Sequence, residues 1–166
     1  MSFKNLQKHT NHLLTINKRN TGSFTLMVQS TNVPAITANE ATAGAPKRAG
    51  FSIIGTALGF GDLTCKVLLD ENMDSYFEIY RWIKELVEPE KHNPVKFNDS
   101  VSEASLFLLT NNKTDDTKFI IDFHKIWPIS LSEINFDAAT TDDAPITFDV
   151  TFKYRTLTIK RDGISY

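Results

Sequence analysis

The chain has 166 residues and a mass of 18.7 kDa, enough for one domain of about 100–200 residues and little more. Hydrophobic residues make up 41 %, with twelve Phe among them, so a core is available and wholesale disorder is excluded. Lys and Arg number 18 against 20 Asp and Glu, a net charge of −2, which argues against gripping nucleic acid by phosphate neutralisation.

Residues 1–11 are polar and read as a loose arm or short helix. They lack the apolar stretch of about 7–15 residues that marks a signal peptide. No apolar run approaches the ~18 residues of a membrane span. Residues 12–30 read as a β-hairpin turning at Lys18–Gly22, with Phe24, Leu26 and Val28 alternating with Thr25, Met27 and Gln29. Residues 31–50 differ. They hold Pro34 and Pro46, many Ala, Gly and Thr, and no large apolar side chain beyond Val33 and Ile36. Such a stretch has no core of its own and reads as an extended loop.

Phe51–Gly55 resumes strand character, Thr56–Gly61 reads as a glycine-rich turn, and Asp62–Leu69 as a strand with Leu63, Cys65, Val67 and Leu69 on one face. A helix is expected over residues 72–87, with Asp70 or Asn72 placed to cap it and Pro89 to stop it. Its apolar stripe places Met73, Phe77, Tyr80 and Val87 on the sheet, widened by Tyr76, Ile79, Ile83 and Leu86. Truncating Phe77 is then expected to cost about 3–5 kcal/mol. Ala104–Thr110 and Lys118–His124 form a second hairpin across the polar tip 111–116. Pro128 is expected to break regular pairing in 126–137, and Ile146–Ile159 reads as one long alternating strand. The sum is a mostly β chain, an antiparallel sandwich or barrel of about seven strands with one flanking helix.

Residues able to carry chemistry are scattered. The single cysteine, Cys65, excludes an internal disulfide or multi-cysteine metal site, and it sits in a strand rather than an electropositive, exposed setting. His9 and His12 have metal-ligand spacing but no acidic or thiol neighbour. Gly55-Thr-Ala-Leu-Gly-Phe-Gly61 lacks the Lys-Ser/Thr of a phosphate loop. Asp115-Asp116 and Asp142-Asp143 suit solvated turns. No catalytic, cofactor or metal residue is therefore expected.

The order of pieces is more informative. An extended loop with Asn32-Val-Pro-Ala-Ile36 precedes a strand–turn–strand, Ile53 to Leu69, which ends in Asp70-Glu71. A helix containing Tyr80-Arg-Trp-Ile83 follows, then a hairpin, Trp127-Pro128, Ile134-Asn-Phe-Asp137 and a terminal alternating strand. Over residues 12–160 this order resembles the tail tube proteins of contractile-tailed bacteriophages, whose domain also occurs in baseplate and hub proteins and in the type VI secretion tube.

The resemblance implies a non-enzymatic structural virion protein made in the host cytoplasm. Its protomers would close into six-fold rings stacked into a channel for the tape measure and DNA, with sheath and baseplate proteins as further partners and no membrane contact. A tube-like baseplate or hub ring is the nearer alternative, and a small-molecule-binding β-barrel the more distant one. The loop has no core to hold it, so Val33, Pro34, Ile36, Ala41, Ala45 and Pro46, with Phe60 after it, are the expected subunit contacts.

Overall fold

A computed structural model describes residues 12–18, 22–44, 51–87, 101–109, 119–136, 145–161 and 164–165. These form eleven strands and one helix in the order β1 (His12–Lys18), β2 (Gly22–Thr25), β3 (Val28–Thr31), β4 (Ile36–Ala43), β5 (Phe51–Phe60), β6 (Leu63–Leu68), α1 (Asp74–Val87), β7 (Ser102–Leu108), β8 (Phe119–Leu131), β9 (Thr147–Lys153), β10 (Thr156–Arg161) and β11 (Ile164–Ser165). The expected class holds: antiparallel β with one helix. The N-terminal arm 1–11 and the hairpin tip 111–116 lie outside the described residues.

Nine strands share one hydrogen-bonded network, while β4 and β5 pair only with each other. Within the nine, β8 belongs to two layers. Its first half lies between β7 and β10, in a layer that β1, β2 and β11 extend. Its second half pairs with β9, which leads through β6 to β3. Apolar residues align in rows across the strands. Leu14, Leu106, Ile121 and Ile159 form one row, and Ile16, Ala104, Phe123 and Leu157 the next. Cys65, Val150 and Leu131 form a row in the other layer, and both sets enter one core.

Lys125 makes the change of layer possible. Its φ of 54° is left-handed, and it is the unmatched residue where Ser102↔Ile126 gives way to Glu103↔His124. Before it the buried residues are Ile121 and Phe123; after it they are Ile126 and Pro128. One extra residue thus switches which parity of the strand faces the core. Pro128 does not end the strand as expected. It sits beside a second register shift, between Pro128 and Ser130, where a missing N–H is tolerated.

The helix starts where the sequence suggests. The Asp70 carboxylate accepts from the backbone N–H of Asp74 (2.8 Å) and Ser75 (3.2 Å), and the first of these bonds does most to hold its pKa below the usual aspartate value. The buried face was misassigned. Ile79 and Trp82 are fully buried, flanked by Tyr76, Ile83 and Leu86, while Phe77 is 52 % exposed, with Tyr80 and Val87 also outward. Trp82 packs at a tilt on Phe152, and Tyr76 meets Phe148 edge-on, so α1 lies against β8 with its rings reaching β9. Three strand boundaries also differ. Ser23–Val28 breaks at Leu26–Met27 as the chain passes from β1 to β6, Thr56–Phe60 continues β5 instead of turning, and Tyr154–Arg155 divides the last long strand.

Trp82→Ala is expected to lose about 3–5 kcal/mol in urea denaturation, whereas Phe77→Ala loses less than about 1 kcal/mol in the monomer. The lowered Asp70 pKa gives a pH signature. Its contribution is complete above the unfolded value near ~3.9 and is lost as pH falls through the lower folded value. Acid melts of Asp70→Asn should lack that component.

Candidate assembly interface

The β4–β5 hairpin projects from the nine-stranded body, and its root is built with care. The Asn32 side chain donates to the Asp62 carbonyl (2.9 Å) and accepts from the Thr64 N–H (2.7 Å) and hydroxyl (3.1 Å). Gly61 N–H donates to the Ala35 carbonyl at 2.8 Å, closing the two legs. From the far end of β9, the Tyr154 hydroxyl donates to the Gly61 carbonyl (2.9 Å) and Lys153 pairs with Asp62 (2.7 Å). Burial, aided by the Asp62 charge, raises the Tyr154 pKa and keeps that donor protonated. Pro34 is buried, and the Phe60 ring leans on Tyr154.

Beyond the root the arm has little cover. Ile36 pairs with Phe60, Ala38 with Leu58 and Glu40 with Ile54. Even spacing along both strands puts these residues on one face. Ile54 is 89 % exposed, and Leu58 and Ile36 are also outward. Between Ala38 and Glu40 the register slips by two residues on β5. Gly55 sits in that slip; a Cβ there would collide with the Asn39 carbonyl, so only glycine lets the strands approach. The other face pairs Thr37 with Gly59 and Ala41 with Ile53, an Ile that is itself 45 % exposed.

A second apolar surface runs along α1 through Phe77, Tyr80 and Val87. At its start Leu69, Met73, Phe136 and Ile146 line a cleft of about 250 Å³ with Asp70 and Glu71. A larger cleft of about 510 Å³ lies over β3, β6 and β9. Its lining includes Ser30, Asn32, Thr64, Lys66, Asp149 and Thr151, a polar set unlike the aromatic pocket of the binding-barrel alternative.

The outward side of β7, β8 and β10 carries a polar cluster beside the half-buried pair Phe107 and Ile120. Glu103 accepts from His124 Nδ1 (2.8 Å), and His124 Nε2 lies 3.1 Å from the Thr158 hydroxyl. Asp122 accepts from Ser105 (2.6 Å) and pairs with Lys160 (2.6 Å). Burial pushes the Asp122 pKa up, but Lys160 and Ser105 outweigh it and leave the value lowered. Burial also drives the Cys65 thiol up to about 11, against a weaker opposing contact from Thr31, so it is inert at neutral pH.

Of the expected contact residues, Val33, Ile36 and Ala41 are exposed, Phe60 is half-buried, and Pro34 is buried in its own chain. Ala45 and Pro46 lie outside the described residues. The segment 31–50 is not one loop, because residues 36–43 are strand β4. The sequence reading puts Ile54 in a strand without making it a contact residue, and puts Leu58 in a glycine-rich turn. The signal was the even spacing of Ile54, Leu58 and Phe60, matched by Ile36, Ala38 and Glu40.

No family model matches the chain. The tail tube terminator protein of Enterobacteria phage T4 is 25 % identical over 157 residues, covering 93 % of this chain and 89 % of that protein. A chain of the anti-feeding prophage (AFP) baseplate superposes with a TM-score of 0.72 at 10 % identity, covering 99 % of this chain and 100 % of that one. A chain of the AFP tube-terminating cap gives 0.71 at 14 %, covering 97 % and 95 %. The chain is contractile-tail-tube-like. The tube-like fold also superposes on a chain of the PVC sheath–tube complex, with a TM-score of 0.68 at 12 % identity over 94 % of this chain and 92 % of that one.

In this tube-like protein Asn32 ties the arm to the body through three side-chain hydrogen bonds. Asn32→Ala should cost about 1 kcal/mol locally, read as roughly fivefold faster amide exchange in β4 and β5 with the core amides of β8 unchanged.

Proposed function

We propose that the chain forms a ring that terminates the tube of a contractile injection machine. One observation carries the choice: the likeness to a tail tube terminator over nearly the full length of both chains. The fold alone does not choose, because it superposes on chains from baseplate, tube and cap assemblies alike. A projecting arm and an uncovered helix face are different surfaces. Contact between them is head-to-tail, and such contacts close into rings when the rotation is right.

The reading assigns the protein no catalysis and no cofactor. The polar cluster on the outward side of β7, β8 and β10 suits a channel wall. Its acids Glu103 and Asp122 stand beside Lys160 and His124, so it offers no continuous basic track to hold a passing polyanion. Tube, sheath and tape-measure proteins are the partners it implies. A stacked tube protomer is the second reading, favoured by the superposition on the PVC sheath–tube chain.

Electron microscopy of the purified protein separates them. A terminator should give closed rings, of about 112 kDa if six copies of 18.7 kDa join, which cap the ends of preformed tubes. Long tubes from this chain alone would favour the protomer. A protein that stays monomeric at every concentration, and binds no tube end, would overturn both.

A further inference from the structure

Among the described residues, the arm and α1 each carry an exposed apolar stripe, and the two stripes match. On the arm, Ile36/Phe60 nearest the root is followed by Ala38/Leu58 and then Glu40/Ile54. The order is apolar, apolar, then acidic, over about 14 Å from Ile36 to Glu40 at ~3.4 Å per residue. On the helix, Phe77 and Tyr80 are followed by Lys84, at spacings that keep them on one side, and half-buried Met73 sits just before the first turn. That order is apolar, apolar, then basic, over about 10 Å from Phe77 to Lys84 at ~1.5 Å per residue. The helix also has more apolar arc than its own core uses. Tyr76, Ile79, Trp82, Ile83 and Leu86 serve the core, while Phe77, Tyr80 and Val87 lie outward, with Phe77 edge-on to Tyr76.

We infer that the apolar face of the β4–β5 arm docks on the Phe77–Tyr80 stripe of α1 in a second copy of this chain, with Glu40 set against Lys84. The inference rests on the ring reading above and deepens it by naming both halves of the contact. Ile36 lies toward the start of the helix and Ile54 toward its end. The Met73–Phe136–Ile146 cleft, beside the start of the stripe, takes the root side of the arm. Each copy gives one arm and receives one, so a closed ring leaves neither surface open.

Disulfide trapping tests the contact, and the chain suits it, because its one native cysteine is buried and unreactive. Leu58→Cys and Phe77→Cys change exposed side chains. Mixed and oxidised, the two single variants should give a covalent dimer that neither gives alone. A chain carrying both should give a ladder on a non-reducing gel. Ile54→Cys with Lys84→Cys is the second pair, should either first variant melt early. Glu40→Lys and Lys84→Glu should each weaken assembly about fivefold in sedimentation velocity, and together restore most of it. Rings that form without either cross-link, and without response to the charge swap, would overturn this contact and leave the ring reading standing. A wild-type chain that never associates would overturn both.

Discussion

The architecture depends on one strand that serves two layers. β8 can do this only because Lys125 adopts a left-handed backbone and adds one residue to the ladder. Without that residue, the side chains that fill the core from the second half of the strand would point to solvent. Placing a non-glycine residue in this region costs about 1–2 kcal/mol, and the gain is burial of Ile126 and Pro128 beside Ile121 and Phe123. Everything downstream depends on that turn of phase. β9 is placed to receive Trp82 and Tyr76 from α1, and Tyr154 at its end reaches the root of the arm.

The root joins a well-packed body to a projecting hairpin. A two-stranded ribbon without a hydrophobic layer beneath it is marginal in water. Here its legs are tied by Asn32, Gly61 and Tyr154, while Ile54 and Leu58 stay open. α1 has the opposite imbalance: it is firmly packed on one side and apolar on the next. Both features carry a solubility cost in an isolated chain, which the proposed association would remove. The two surfaces have different shapes, so that proposed contact would be directional.

The fold does not fix the station along a tube. The same nine-stranded body with its arm superposes on chains from baseplate, tube and cap structures at 10–14 % identity. What distinguishes such proteins lies in which outward side chains meet which neighbour, and only the sequence likeness to a terminator bears on that here.

Local patterns in the chain are enough for the class, the helix and most of the core. Alternation in Leu63–Leu68 and Thr147–Lys153 is a local signal, and the structure keeps it by burying Leu63, Cys65 and Val67 in the first and Phe148, Val150 and Phe152 in the second. The Asp70 cap is equally local, since its donors are four and five residues away. The order of elements also carried the tube-like resemblance. Only tertiary structure decided which side of α1 is buried. Phe77 and Trp82 are both apolar, and the positions of β8 and β9, far along the chain, make the choice. The break at Leu26–Met27 and the switch at Lys125 follow from partners β6 and β7, which no local pattern names. The arm was misread for the same reason. Gly55 and Gly59 look like turn residues until Asn39 and Thr37 of the facing strand come close enough to require them.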